Sequence, residues 1–306
     1  MSAPELDRPE PGREAALKAI WFVPPVIALA AERHGYLERE GIALEGTVTR
    51  SSDEQFDCLR DGRMDVAVTA MDNVILWNRR PGPGDFRIIA QVEANAGISL
   101  VAQPGFAAVG DLAGKRLLVD SAHNGFVVAL RALLADAGAD FDRCEVIEAG
   151  GVKERFDALL AGEGDATLLG PPFVELAEAR GLRRLADADA RYPGFPGQGL
   201  VARRDTIERK GAELARLLRA LELGRAECRR DPAAVAASLE AGGLPAPVAA
   251  RLAGFVGDTL APSRQGVELL IAQRRRLGLP GGDADWNALV DPRPLAASAQ
   301  RRETID

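Results

Sequence analysis

The 306-residue sequence predicts an α/β protein of two lobes, completed by a helical C-terminal part. Three observations carry this expectation. The stretch "FDCLRDGRMDVAVTAMD" beginning at Phe56 returns as "FDALLAGEGDATLLGPP" beginning at Phe156, with Phe, Asp, Leu, Gly and Asp at matching offsets. Around both copies, short apolar runs alternate with helix-patterned segments, as in parallel sheets flanked by helices. After "QGLVARR" the pattern turns almost wholly helical.

The elements follow in order. "LKAIWFV" from Leu17 reads as a buried strand. Pro24 and Pro25 then suit a helix start, where no N–H is needed, and Gly35 suits its C-terminal cap. "IALEGTVT" is a second strand, and Ser52 with Gln55 three residues on fits a capping box for the next helix. Gly62 ends that helix before the strand "MDVAVTA". "MDNVILWNRR" restarts a helix, and "FRIIAQV" and "GISLVAQ" are further strands. A second series runs from "KRLLVD" through "NGFVVALRALLADAG", "CEVIEAG", "VKERFDALLAGEG", "DATLLG" and "PFVELAEARG" to "LRRLAD". Helices are then expected at about 204–229, 231–241, 245–258 and 263–277, with a frayed tail over 292–306. In both copies of the repeat the Phe and Leu, three apart, share one helix face directed at the sheet. One α/β unit is thus used once in each lobe.

Composition removes several classes of function. The net charge of −7 and the lack of a basic stripe argue against a nucleic-acid partner. No apolar run approaches the ~18 residues that insertion into a membrane requires. Cys58, Cys144 and Cys228 are scattered, and His34 and His123 are the only histidines, so no metal site is expected. No P-loop, strand-linked GxGxxG or GxSxG elbow occurs, and no cofactor is expected. Arg274–Arg276 read as a solvated helix end, and His34 as structural. The first residues are acidic and Pro-rich, so residues 1–16 read as a disordered lead-in without a signal peptide. A cytoplasmic location is the resulting expectation; the alternative is a periplasmic or lipid-anchored protein whose export signal has been removed.

"AAERHGYLEREGIALE", "FDCLRDGRMDVAVTA", "DLAGKRLLVDSAHNG" and "DALLAGEGDATLLGPP", in that order, resemble the consecutive motifs of type II periplasmic binding proteins. The branch they resemble contains alkanesulfonate-, nitrate- and taurine-binding proteins and thiamine-pyrimidine-synthase-like proteins. The resemblance covers about residues 17–280 and implies two lobes with a ligand in the cleft between them. Lobe 1 is expected at 17–100 plus 201–306 and lobe 2 at 102–199, with crossovers near Ser99–Gln103 and Gln198–Arg203. The cysteine-rich motif of the pyrimidine synthases is missing, which argues against their chemistry here.

In open α/β sheets ligands bind beyond the carboxyl ends of strands, where helix N-termini present free N–H groups. That rule selects the candidate residues. Trp21 and Phe22 leave the first strand; either both wall an aromatic or apolar ligand, or alternation sends one to the core and only the other to the cleft. Ser51 and Ser52 leave the second; Ser52 is expected both to cap its helix and to meet a ligand. Thr69, Met71 and Asp72 leave the third, Asp72 either accepting from a ligand amine or amide or capping a helix that starts at Asn73. Glu93 and Asn95 are polar groups in an apolar stretch before the first crossover. Ser121, His123, Asn124 and Gly125 open a lobe-2 helix, where His123 is the candidate for an acid/base role. Gly151, Gly170, Pro171 and Phe173 supply backbone and an aromatic wall, and Phe195 and Gln198 belong to a flexible rim.

Two functions fit. One is a binding protein for a small organic acid, amine or heterocycle, closing its lobes on the ligand and feeding an ABC permease if exported. The other is a cytoplasmic decarboxylase or lyase on the same fold, acting on an aromatic or heterocyclic acid through His123, Asp72 and Glu93.

Overall fold

A computed structural model describes residues 15–82, 84–123, 125–241 and 246–300, the side chains of 247 and 248 excepted. The lead-in expected at the N-terminus lies outside the described residues, apart from Ala15 and Ala16, which already belong to a strand.

Among the described residues, ten strands form two five-stranded sheets. The first holds β1 (Ala15–Trp21), β2 (Ile42–Val48), β3 (Val66–Ala70) and β4 (Phe86–Gln91). The second holds β5 (Ser99–Ala102), β6 (Arg116–Val119), β7 (Glu145–Glu148), β8 (Ala166–Leu169) and β9 (Arg183–Asp187). The chain then returns to the first sheet as β10 (Gln198–Arg203). The orders are β2-β1-β3-β10-β4 and β7-β6-β8-β5-β9. In each sheet the strand next to a crossing, β10 or β5, runs antiparallel to both its neighbours. Both carry a register shift at the corresponding place, Leu200/Val201 and Leu100/Val101. The chain changes sheets between Gln91 and Ser99 and again between Asp187 and Gln198. The expected crossover segments are thus the strands that follow each passage.

The repeat has a structural counterpart. Helices Ser52–Arg60 and Val152–Leu160 bury Phe56 with Leu59 and Phe156 with Leu159. Gly62 and Gly162 end these units at φ of +70° and +75°, a conformation open to glycine at little cost. Asp65 then accepts the Lys18 N–H of β1, and Asp165 accepts the Arg116 N–H of β6, each at 2.9 Å. Each aspartate ties a turn to the strand that pairs in parallel with the one it precedes, β1 with β3 and β6 with β8, which explains why it recurs.

Beyond β10 come helices Arg204–Arg209, Gly211–Arg230, Pro232–Ala241, Ala246–Ala253 and Arg264–Arg276. The helix expected over 204–229 is broken at Lys210. Of the tail expected to fray over 292–306, residues 293–300 instead form the helix Arg293–Gln300, packed on helix Gly211–Arg230 and on β4, and 301–306 lie outside the described residues. One buried apolar cluster joins Met71, Val74 and Ile75 of the first lobe to Leu130 and Leu134 of the second through Val267 and Ile271. Along the helix Arg264–Arg276 the lobes therefore share a core.

Candidate ligand cleft

The carboxyl ends of β1, β2 and β3 face those of β6 and β7 across the lobe boundary. Away from the crossovers, Ser52 Oγ donates to Asp120 Oδ2 at 3.1 Å. Arg50 Nε lies 3.2 Å from Glu154 Oε1. A Cβ placed on Gly151 would sit 3.5 Å from the Phe22 ring. Two helix N-termini, those of Ser52–Arg60 and Val152–Leu160, are thereby brought to one place.

Local sequence explains how each group arrives there. Ser51, not Ser52, is the N-cap of its helix, accepting from the Asp53 and Glu54 N–H groups at 3.2 and 3.4 Å. The expected capping box is not formed: Ser51 caps the helix alone, and its own N–H donates to Thr49 Oγ1 at 3.2 Å. Ser52 is left free to reach Asp120, and Gln55 turns inward to donate to the Val68 carbonyl at 2.9 Å. Gly151 caps the opposing helix without a side chain, which leaves room for Phe22. Of the aromatic pair, Trp21 goes to the core, lying against Gly46 of β2, and Phe22 goes to the cleft.

Asp120 and Arg155 are the groups that sequence reasoning missed here. Both are half-buried. Burial pushes the Asp120 carboxyl up, with Arg155 and the Ser52 hydroxyl pulling it back. Burial likewise pulls the Arg155 guanidinium down, opposed by Asp120 and Glu154. Arg155 Nε donates to the Gly151 carbonyl at 3.3 Å, folding the side chain back over the first helical turn. A signal for each was present: Asp120 follows its strand directly, and Arg155 occupies the repeat position of Gln55.

Deeper in, Asp72 and Arg274 form a pair that is 1% and 0% exposed. Arg274 Nε donates to Asp72 Oδ1 at 2.6 Å, and Arg274 Nη2 donates to the His123 carbonyl at 3.1 Å. The Gly125 N–H donates to Asp72. Burial pushes the Asp72 carboxyl up, while Arg274 and the Gly125 N–H act against it. Two expectations are corrected by this. Asp72 neither caps its helix, which starts at Asp72 itself, nor has a free carboxylate for a ligand. Arg274 is no solvated helix end, because a buried carboxylate 202 positions away demands a counter-charge.

At the crossovers, Glu93 accepts from Gln198 Nε2 at 3.0 Å and from the Gln198 N–H at 3.4 Å. Burial pushes the Glu93 carboxyl up to about 7, with Gln198 opposing. Asn95 lies beside Gly197: a Cβ there would be 2.4 Å from the Asn95 carbonyl.

The remaining candidates are dispersed. Thr69 is buried and accepts from Asn73 Nδ2 at 2.6 Å, and Met71 is buried against Gly199. Ser121 is buried, and Gly170 and Pro171 are half-buried at the end of β8. Phe173 turns into its own lobe against Phe156, ring centroids 5.2 Å apart. Phe195 is 1% exposed and packs on Phe126, so "YPGFPGQG" supplies core rather than a flexible rim. The His123 side chain is exposed, and its carbonyl is what the site uses. Asn124 lies outside the described residues.

Comparison with known proteins places this architecture. No curated protein matches the sequence. Among solved structures, the alkanesulfonate-binding protein SsuA from Xanthomonas axonopodis pv. citri, bound to MOPS, superposes with a TM-score of 0.73 at 18% identity, covering 90% of this chain and 99% of that one. The periplasmic aliphatic sulphonate binding protein SsuA from Escherichia coli gives 0.67 at 20% identity, covering 91% of each chain. The periplasmic nitrate-binding protein NrtA from Synechocystis PCC 6803 gives 0.74 at 13%, covering 95% of this chain and 90% of that one. The fold is that of the type II periplasmic binding proteins, as the motif order implied. The cytoplasmic expectation is corrected by the same finding: it rested on the first residues alone, whereas the E. coli and Synechocystis neighbours, matched over nearly the whole chain, are periplasmic. The family model described as NMT1/THI5 like matches residues 26–235, and the chain belongs to that family.

Proposed function

We propose that this protein is an extracytoplasmic receptor that closes its two lobes on a small polar molecule and presents it to an ABC permease. One observation carries the reading. Two helix N-termini from different lobes converge on a cleft bridged by Ser52 and Asp120, beside the half-buried Arg155 guanidinium. Such a cleft offers N–H groups, a hydroxyl and charges to a ligand that both lobes contact, which is what drives hinge closure. The sulfonate- and nitrate-binding neighbours support the class. No observation favours the enzyme alternative. The three groups it required do not converge: Asp72 is bound to Arg274, Glu93 to Gln198, and the His123 imidazole is exposed.

Native mass spectrometry of the purified protein, with a thermal-shift screen of polar metabolites, tests the reading. A retained small molecule, or a metabolite that raises Tm and contracts the particle in solution scattering, supports it. Failure of every small molecule to bind sinks it.

A further inference from the structure

We propose that the two crossovers form a proton-operated clasp: with a proton on Glu93 they stay joined and the lobes stay closed, and when that proton leaves, the joint loosens and the lobes part. What is regulated, closure on a ligand, is taken from the receptor reading above; the clasp is a property of the chain alone. Its geometry is reciprocal. Glu93 sits in the first crossover and accepts from the second, through Gln198 Nε2 at 3.0 Å and the Gln198 N–H at 3.4 Å. The Gln198 carbonyl in turn accepts the Val92 and Glu93 N–H groups at 2.9 and 3.3 Å. At the other end Asp189 sits in the second crossover and accepts from the first, through the Gly97 N–H at 2.9 Å. There the Ala188 N–H donates to the Ile98 carbonyl at 3.0 Å. The backbones touch at Gly197, where a Cβ would lie 2.7 Å from the Glu93 Cβ. Just beyond the joint each crossover enters a strand with a register shift, a place where strands bend.

The two carboxylates differ in their surroundings. Asp189 is acted on by Arg251 and Asp187, which oppose one another, and Arg251 Nη2 also donates to the Gly97 carbonyl at 3.2 Å. Glu93 feels no charged side chain among the described residues. Its polar surroundings are the Gln198 and Gln91 amides and the Gly197 backbone. A buried carboxylate without a counter-charge, held by one side-chain hydrogen bond and one long backbone bond, favours the neutral acid. The joint is also poor in donors: Asn95 Oδ1 and Asp189 Oδ1 are buried without one among the described residues. A proton on Glu93 adds a donor and removes an uncompensated charge; its loss does the reverse. When the crossovers part, water reaches the carboxyl, and its pKa returns from about 7 toward the ordinary 4.5. Joining is therefore favoured most below about pH 4.5, and the advantage is lost as pH rises through about 7. An extracytoplasmic receptor would thereby hold its ligand harder in acidic surroundings and release it more readily in alkaline ones.

The test needs no ligand. Amide hydrogen exchange of the full chain is read by mass spectrometry at about pH 5.5 and about pH 8.5, each rate divided by the intrinsic rate at that pH. Peptides over 91–98 and 192–200 report the joint, and peptides over β1 and β6 report global unfolding. Joint amides should exchange faster than those of β1 and β6, through local opening. Their protection should fall at least about tenfold between the two pH values in the parent, and less than about twofold in Glu93→Gln. Gln198→Leu removes the side-chain donor that favours the charged carboxyl, so it should move the midpoint of the fall upward. In solution scattering the parent should expand at the higher pH while Glu93→Gln keeps one radius. Melting curves of both variants control for folding. Joint amides that exchange no faster than β1 and β6 would mean that the crossovers part only when the whole chain unfolds, and would overturn the proposal. So would a flat parent profile, a Glu93→Gln profile that falls like the parent's, a midpoint unmoved by Gln198→Leu, or a radius indifferent to pH. All of these leave the receptor reading standing. That reading falls only if no small molecule binds, and the clasp is read in either case.

Discussion

Asp72 and Arg274, 202 positions apart, meet as a doubly hydrogen-bonded pair sealed from solvent, and the pair grips the second lobe. Arg274 donates to the His123 carbonyl while Asp72 accepts the Gly125 N–H. A charged pair from one lobe thus satisfies the split backbone of the other. Asp136 of the second lobe extends the join, accepting from Arg276 at 2.6 Å and from the Tyr192 hydroxyl at 2.9 Å.

Removing one partner should therefore be expensive. Asp72→Ala leaves the Arg274 guanidinium buried without a counter-charge, and a loss of about 3–5 kcal/mol is expected in urea unfolding. The double variant Asp72→Leu, Arg274→Met should recover much of that loss, because neither charge then remains desolvated. Equal destabilisation by the single and double variants would mean that the pair's charge is not what matters.

What the sequence could and could not reveal follows the same distinction. Strand ends, helix starts and the hundred-residue repeat are local patterns, and they led to Phe22, Ser52, Gly125 and Gly151. Arg274 was misread because its partner is remote in the chain; "RRR" looks identical whether or not a carboxylate waits beneath it. Phe195 was misread because Pro and Gly around it mark irregular backbone, which is a statement about φ and ψ and not about exposure. Arg155 was legible in principle. Laying the repeat copies over one another puts it where Gln55 binds the sheet, and a cation at that position is out of place in a core.

Glu93 should make stability depend on pH. Its carboxyl, pushed up to about 7 by burial, binds a proton more tightly in the folded chain than in the unfolded one, whose ordinary value is 4.5. Its contribution is thus fully present below about pH 4.5 and is lost as pH rises through about 7. Glu93→Gln mimics the protonated acid. The variant should match the parent near pH 5 and exceed it near pH 8 by on the order of 1–3 kcal/mol. Parallel pH profiles for the two proteins would contradict this account.

Gly197 lies where the two crossovers touch. A Cβ there would come within 2.4 Å of the Asn95 carbonyl and 2.7 Å of the Glu93 Cβ. Gly197→Ala must push the crossovers apart, at a cost of about 1–3 kcal/mol. Because Glu93 and Gln198 flank the contact, the same variant should weaken their hydrogen bonds and blunt the pH effect of Glu93. Unchanged melting and an unchanged pH profile together would show that the crossovers yield without strain.

Gly151 separates stability from binding. Its φ of −66° is open to any residue, so substitution carries no backbone penalty of the left-handed kind. The added side chain would instead enter the cleft, its Cβ 3.5 Å from the Phe22 ring and 2.9 Å from Glu154 Oε2, the movable end of a side chain paired with Arg50. Gly151→Val should therefore fold with a melting temperature close to the parent's. Its bulk would occupy the space between Phe22 and the helix start, and ligand affinity should drop at least about tenfold in calorimetry. A variant that binds as the parent does would move the ligand away from this helix start.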